Sequence, residues 1–384
     1  MFLQNNAILS VVSDGIVSVS GGSFSMNGLS KASVIQGQIE ILGNNLLVSG
    51  SSQLEVDGTR SSLKVDGGDF VVDQSGSLVL FNSGRLDVLN GESVCKANGS
   101  LFLSNSALFK VTSSQGRATF TDSCRFSAES SSVFYSQGAS TFSSSSSLKL
   151  AFSEYQVVQS STVFQDRAKA ELSLSAKLTV SGGNLTMSDS SLFSADGASL
   201  LVNSGVLTQR DISRISLSNL GTLRVSGSVH QVGASSLFLE NSKMQVLSSG
   251  SQFSSSNSAS VSASLNSRIE ISDSGALSLG DQSIMSLASG SVVSLSGGSG
   301  TYKQSGQSKA VLSNSNLESE GSVLLSDQAS LLGTSTKISI LSGGLIVNNT
   351  ATINISSKST FAVQNGNVLF SFALFGWDFY FHCL

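Results

Sequence analysis

Pairs of apolar residues separated by one other residue recur along most of the chain. The segments LEVDG from Leu54, LKVDG from Leu63 and LDVLNG from Leu86 show the unit, in which Asp, Asn, Ser or Gly follows the pair. An apolar position on each side of an outward-facing one, followed by a turn residue, is typical of a short β-strand with one buried face. Repetition of this unit predicts a solenoid.

The unit returns about every eight residues. The first apolar residues of successive pairs are Leu54, Leu63, Phe70, Leu78, Leu86, Val94, Leu101, Leu108, Ala118 and Phe126, and the pattern returns at Ile338, Leu345, Ile353, Phe361 and Val368. Three units of about eight residues make a coil of about 24 residues. We therefore expect an all-β fold, a right-handed parallel β-helix over residues 1–370 with under about 5 % helix. At about 4.8 Å per coil, about 16 coils form a rod of about 75 Å.

Other repeat architectures fit this spacing less well. A left-handed helix of hexapeptides would repeat every six residues, and a propeller would need blades of about 40 residues.

The register of the pattern also predicts which residues face the core. The residues expected inside are Leu63, Val65, Leu78, Leu86, Ile269, Ile271, Ile338 and Ile340, and those expected outside are Lys64, Asp87, Glu270 and Ser339. The pattern weakens over residues 127–147 and 250–264, where we expect Ser and Ala to point inward, which would give either a narrow, less stable coil or a bulged loop.

Composition supports an ordered, hydrogen-bonded stack. The chain of 384 residues has 37 Gly and no Pro, and close to a quarter of its residues are Ser. Pro lacks the N–H that each strand must donate to the next coil, so its absence fits continuous strand pairing. Hydrophobic residues at 40 % and a mean hydropathy of +0.19 argue against disorder.

The low charge limits the possible partners. Charged residues make up 12 % of the chain, and the net charge is −4. Nucleic-acid binding needs a basic face, so it is excluded. A surface of hydroxyl and amide side chains suits an extracellular protein or one that contacts glycans.

Three cysteines, Cys95, Cys124 and Cys383, are too few for a disulfide framework. Cys95 and Cys124 are 29 residues apart, which differs from the expected coil length of about 24. We therefore expect unpaired thiols, with a Cys95–Cys124 bridge as the alternative.

The two ends of the chain differ from each other. No basic residue precedes Asp14, so no signal peptide is recognised. The segment 368–384, VLFSFALFGWDFYFHCL, is rich in aromatic residues, and three interpretations of the tail 371–384 stay open: a cap on the last coil, a membrane or lipid-anchor segment, or an out-of-frame sequence. Open strand edges at the ends of a solenoid also allow end-to-end self-association.

No pattern of catalytic or metal-binding residues stands out. The densest acidic group is Asp57, Asp66, Asp69 and Asp73, and the only histidines are His230 and His382. Because side chains stack only at a separation of one coil, we interpret the four aspartates as turn residues on different faces. His230 is expected at the surface or at a corner. We predict no catalytic, cofactor-binding or metal-binding residue and no cofactor.

Segments such as LTVSGG from Leu178, IEISDSG from Ile269 and ISILSGG from Ile338 resemble the repeats of right-handed β-helix proteins. These include pectin-lyase-like domains and the passenger regions of autotransporter and filamentous-haemagglutinin adhesins, and the resemblance covers about residues 3–370. It implies a non-enzymatic, adhesin-like or stalk-like rod at the cell surface or outside the cell. Glycans or other cell-surface molecules would be its partners, with membrane association only if the tail is an anchor. A polysaccharide-binding or polysaccharide-degrading enzyme, and an intracellular filament scaffold, are the alternatives.

Overall fold

The computed structural model describes residues 1–112 and 116–371. These residues form 49 strands and no helix, which are arranged in three parallel sheets of 17, 16 and 16 strands. The chain visits the three sheets in turn, so each strand pairs with the third strand before it and the third strand after it. The result is a β-solenoid of about 16 turns with about 23 residues per turn. The expected all-β solenoid is confirmed, with a turn slightly shorter than predicted.

The first sheet contains mostly strands of three or four residues. Its strands are β1 Phe2–Leu3, β4 Phe24–Met26, β7 Leu46–Val48, β10 Phe70–Val72, β13 Ser93–Cys95, β16 Ala118–Phe120, β19 Ser140–Phe142, β22 Thr162–Phe164, β25 Leu185–Met187, β28 Leu207–Gln209, β31 Val229–Gln231, β34 Gln252–Ser255, β37 Ala276–Leu279, β40 Thr301–Gln304, β43 Val323–Leu325, β46 Leu345–Asn348 and β49 Val368–Ser371.

The second sheet contains mostly strands of five residues. Its strands are β2 Ile8–Val12, β5 Lys31–Ile35, β8 Gln53–Asp57, β11 Ser77–Phe81, β14 Ser100–Leu103, β17 Arg125–Glu129, β20 Ser147–Ala151, β23 Lys169–Ser173, β26 Leu192–Asp196, β29 Arg214–Ser218, β32 Ser236–Glu240, β35 Ser260–Ser264, β38 Ile284–Ala288, β41 Lys309–Ser313, β44 Ser330–Thr334 and β47 Thr352–Ser356.

The third sheet completes each coil. Its strands are β3 Ile16–Ser20, β6 Gln38–Leu42, β9 Ser62–Asp66, β12 Arg85–Leu89, β15 Leu108–Thr112, β18 Val133–Ser136, β21 Glu154–Val158, β24 Lys177–Ser181, β27 Ser199–Asn203, β30 Thr222–Ser226, β33 Lys243–Val246, β36 Arg268–Ile271, β39 Val292–Leu295, β42 Asn316–Ser319, β45 Lys337–Ile340 and β48 Thr360–Val363.

The alternation of side chains along each strand builds one continuous core. In β9, Leu63 and Val65 are fully buried, while Lys64 between them points outward. All eight residues predicted to face inward are buried, with no exposed surface. Each of them stacks on the equivalent residue of the next coil, as Leu63 does on Leu86. The predicted register is therefore confirmed at these positions.

Three positions differ from the predicted pattern. Val94 and Leu108 begin apolar pairs in the sequence but lie on the outside, and Cys95 and Phe109 take the buried places. Ser339 was expected outside, and it does lie in an outward-facing column, paired with Glu318. Only 4 % of its surface is exposed, so this position is more buried than the sequence predicted.

The interior of residues 127–147 is not as narrow as the sequence suggested. Ala128, Ser136 and Ser140 do face inward, but Phe134 and Phe142 fill the space beside them. These rings belong to a buried aromatic cluster: Phe134 stacks on Tyr155 at 4.4 Å, and Phe142 stacks on Phe120 at 4.5 Å between ring centroids. Over residues 250–264 the prediction holds better, since Ser255 and Ala263 are buried beside Phe253 and Val261.

Cys95 and Cys124 form a disulfide bond, so the expectation of free thiols at these positions is wrong. Cys95 ends β13 and pairs across the coil with Phe120, while Cys124 lies at the corner four residues later. The corner turns Cys124 into the core, which brings the two Cα atoms to 5.7 Å, and both residues are fully buried. The prediction failed because it compared only equivalent strand positions and ignored contacts between a strand and the next corner.

Apart from Ser371, which ends β49, the tail 371–384 lies outside the described residues, and so do His382 and Cys383 within it. Its three interpretations therefore stay open. The strand edges at which end-to-end association was expected belong to β1–β3 and β47–β49.

We expect substitutions in the core and on the surface of β36 to differ sharply. Ile271→Asp places a charge at a fully buried position, so it should lower the free energy of unfolding by several kcal/mol, roughly 4. Glu270→Ala removes a partly exposed group that pairs with Lys243 at 2.8 Å, and it should cost about 0.5–1 kcal/mol. Urea unfolding measures both, and equal effects would contradict the register.

The disulfide should stabilise the coils that it joins. Replacing both cysteines, as Cys95→Ala/Cys124→Ala, should lower the free energy of unfolding by about 2–4 kcal/mol, because the bridge closes a loop of 29 residues in the unfolded chain. Reduction of the wild-type protein should have a similar effect, while the double variant should not respond to reductant. Equal stability of the oxidised and reduced wild-type proteins would contradict this role.

Two buried tyrosines provide a matched test of hydrogen bonding in the core. Tyr155 donates from its hydroxyl to Ser140 Oγ at 3.0 Å, whereas the hydroxyl of Tyr302 has no hydrogen-bond partner among the described residues. Burial raises the pKa of both hydroxyls, so both stay protonated. Tyr155→Phe should cost about 1 kcal/mol, and Tyr302→Phe should leave thermal stability unchanged or higher. A larger loss from Tyr302→Phe would contradict the assignment.

Candidate binding surfaces

The outer side of the first sheet carries a continuous column of uncharged side chains, which we call the hydroxyl face. Residues of eight consecutive coils contribute to it, and neighbours pair directly across the ladder, as Thr186 does with Thr208. The column spans about 34 Å at about 4.8 Å per coil. It consists of Thr119, Thr141, Val163, Thr186, Thr208, His230, Ser254 and Ser278.

The hydroxyl face is hard to see in the sequence because its members are a full coil apart. Thr186 and Thr208 are separated by 22 residues, and nothing around either one marks it as special. His230 lies in this column, where its Nδ1 is 2.6 Å from Ser254 Oγ. The expectation that His230 is a surface residue is consistent with this position.

The four aspartates of the densest acidic group each have a separate partner. Asp57 accepts a hydrogen bond from Asn82, and Asp66 pairs with Lys64 at 3.3 Å. Asp69 accepts from the backbone N–H of Glu92 at 2.9 Å, and Asp73 accepts from the N–H of Gln74 at 2.7 Å. Asp69 and Asp73 lie in turns, as predicted, whereas Asp57 and Asp66 are the last residues of β8 and β9. Each carboxylate stabilises the local turn or the neighbouring coil.

A different set of carboxylates stacks at the corner between the first and second sheets. Asp166, Asp189 and Asp211 follow one another on consecutive coils. Asp189 accepts a hydrogen bond from the N–H of Asp166 at 3.2 Å, and Asp211 accepts from the N–H of Asp189 at 3.1 Å. Each carboxylate thus satisfies a turn N–H of the coil before it. Sequence reasoning missed this column, although an Asp that recurs every 22 or 23 residues is a visible signal.

A groove of about 660 Å³ runs along the corner between the second and third sheets in the first five coils. The turn 58–61 is four residues long and brings Thr59 and Arg60 to the edge of the groove. Arg60 has no charged partner among the described residues, while Arg85 is held by Asp87, whose hydrogen bonds raise the pKa of the Arg85 guanidinium. Hydroxyl and amide side chains provide much of the remaining lining: Gln36, Gln38, Ser61, Ser62, Ser83 and Ser106.

Charged groups on the third sheet are mostly paired with one another. Glu40, Lys64, Asp87 and Lys110 occupy directly opposed positions on four consecutive coils, so their charges alternate in sign. In a later coil, burial alone would raise the pKa of Glu270, but hydrogen bonds from Lys243 and Gln245 and nearby positive charges outweigh it and lower that pKa. The opposite charges in this column therefore largely offset one another.

The groove itself has few of the features that a polysaccharide-degrading enzyme uses. Connections between consecutive strands contain at most five residues, so no long loop builds a wall around a cleft. Asp14 is the only carboxylate among the residues that line the groove, whereas glycoside hydrolysis uses a pair. Among the described residues, no group of three or more His, Cys, Asp or Glu side chains could hold a metal ion.

Comparison with protein-family models and with curated proteins gives no match to this chain. Within residues 1–112 and 116–371, no helix is long and apolar enough to span a membrane.

Proposed function

We propose that the protein is a non-enzymatic, rigid β-solenoid of the adhesin or stalk type, which acts at the cell surface or outside the cell. It binds glycans or other cell-surface molecules through repeated weak contacts along its outer faces. The observation that carries this proposal is the hydroxyl face, an uncharged column that continues through eight coils with a constant spacing. A polymer with a regular repeat can contact many equivalent positions at once, and such contacts add up to avidity.

The presence of a disulfide bond favours a location of the protein outside the reducing cytosol. Disulfide bonds persist in secreted and surface proteins and are rare where glutathione and thioredoxin keep thiols reduced. The Cys95–Cys124 bridge is fully buried and links one coil to the next, which is the role of a structural disulfide.

The groove favours one part of the alternative function, namely binding of a polysaccharide. Its amide and hydroxyl lining and the unpaired Arg60 suit a sugar chain that carries carboxylate groups. Binding of a polysaccharide in the groove would give the proposed rod a second contact region and would need no catalysis.

The test measures retention of the purified protein on immobilised cellulose, xylan, dextran and polygalacturonate. Thr141→Lys/Thr208→Lys places two long, charged side chains on the hydroxyl face, three coils apart. We expect this variant to lose at least about tenfold in apparent affinity for the polymers that the wild type retains, because the lost contacts are multiplied along the chain.

The matched control is Ser127→Lys/Ser194→Lys, which makes the same change on the same two coils of the second sheet. It should bind like the wild type. A wild-type protein that none of the four polymers retains, or equal losses in both variants, would contradict the proposal. Release of reducing ends from polygalacturonate would favour the enzymatic alternative instead.

A further inference from the structure

A row of large apolar side chains projects into solvent along the corner between the second and third sheets. Phe152, Leu174, Leu220 and Leu265 are 56 %, 54 %, 76 % and 48 % exposed. We call these four residues the apolar ridge. They belong to the turns that follow β20, β23, β29 and β35, so they lie above one another along the rod.

The backbone at these four positions is unfavourable for the residues that occupy them. All four adopt left-handed conformations, with φ of 48°, 54°, 69° and 51°. Bulky side chains rarely adopt this region, which favours Gly, Asn and Asp. At the same corner of other coils the left-handed positions are indeed held by small polar residues, such as Asn82, Asn105 and Asn314.

The turns themselves do not require apolar side chains. The N–H of Leu174 donates to the carbonyl of Asp196, and the N–H of Leu220 donates to that of Asn241 at 2.7 Å. Any residue other than Pro could make these bonds. The side chains of the ridge therefore add apolar surface at a conformational cost, and about half or more of that surface stays exposed to solvent. Strain of this kind, combined with exposure, points to a contact with another surface.

Large and small residues alternate along the central part of the ridge. Six consecutive coils present at this corner, in order, Phe152, Leu174, Gly197, Leu220, Asn241 and Leu265. Leu220 is the second residue of its turn, after Asn219, whereas the other five are the first residues of theirs. The row spans about 24 Å at about 4.8 Å per coil. The gap at Gly197 lies directly between the two projecting leucines.

We propose that the apolar ridge is an interface at which a second copy of this chain packs side by side in antiparallel orientation. A two-fold axis between the coils of Gly197 and Leu220 places Leu220 of each copy over Gly197 of the other. The same axis places Phe152 opposite Leu265 of the second copy. Leu220 of each copy thus enters a gap of the other at the centre, and Phe152 contacts Leu265 at both ends, which gives the self-complementarity that a two-fold interface requires.

The charges beside the ridge agree with the antiparallel arrangement. Glu154 lies two residues after Phe152, and Arg268 lies three residues after Leu265, so the two-fold axis brings Glu154 of one copy next to Arg268 of the other. Each of these groups also has an ion-pair partner in its own chain, Lys177 for Glu154 and Glu270 for Arg268. Lys177 faces Lys243 across the same axis, but Lys177 is paired with Glu154 at 3.1 Å within its own chain. Lys243 is likewise paired with Glu270 at 2.8 Å, so the repulsion between the two lysines is reduced.

The test of the interface is sedimentation velocity on the full chain over a range of concentrations. A narrow ridge buries an area at the low end for specific interfaces, so we expect a weak dimer that dissociates on dilution. Leu174→Ser/Leu220→Ser should raise the dissociation constant at least tenfold. Its thermal stability should not fall, since neither side chain is buried.

The matched control is Leu29→Ser/Ile212→Ser, because both residues are 62 % exposed but lie at the corner between the first and second sheets. This variant should dimerise like the wild type. A wild-type protein that stays monomeric at every concentration overturns the proposal, and so does an equal weakening of dimerisation in the control.

Cysteine cross-linking tests the orientation. Phe152→Cys and Leu265→Cys are made in separate chains that also carry Cys383→Ser, and the two chains are mixed under oxidising conditions. The antiparallel arrangement predicts a disulfide between the two kinds of chain and little within either kind alone. Cross-links that form mainly between identical variants would show a parallel pair and overturn the proposed packing.

Discussion

Backbone hydrogen bonds between successive coils impose the constraint on which the rest of this structure depends. Every strand inside the stack donates to and accepts from its neighbours in parallel register, so a residue is fixed relative to the equivalent residue one coil away. The spacing between paired residues varies from 21, between Lys309 and Ser330, to 25, between Ser100 and Arg125. The corners absorb this variation. The absence of proline follows from the same constraint, since almost no N–H can be lost.

A constant coil also fixes the volume available inside, and the sequence meets this requirement by compensation. Where Ser136 and Ser140 point inward, Phe134, Phe142 and Tyr155 lie close by and fill the space. A small side chain in one coil is thus matched by a large one in the same or the next coil. Inward-facing residues must therefore have side chains of suitable size, whereas outward-facing residues can vary. Because of this difference, one rod can carry a hydroxyl face, a groove and an apolar ridge.

The alternation of residues within single strands was enough to predict the solenoid and the inward register at Leu63, Val65, Ile269 and Ile271. Contacts between coils were much less predictable, because they depend on how many residues each corner takes. The pairing of Cys95 with Cys124 needs a coil of 25 residues plus four residues of the next corner. The hydroxyl face depends on the number of residues in each corner, so no local motif marks it. The aspartate column depends on the same number, but the recurrence of Asp every 22 or 23 residues could have revealed it.

The disulfide has a mechanical consequence for a rod that is anchored at one place and pulled at another. A force along the chain would peel coils from an end, and each detached coil would lengthen the molecule. The segment between Cys95 and Cys124 cannot be extended while the disulfide bond is intact. Fully extended, its 29 residues would span about 100 Å at about 3.5 Å per residue, and this length is unavailable to the oxidised protein. The redox state of one buried bond therefore sets how far the protein can stretch.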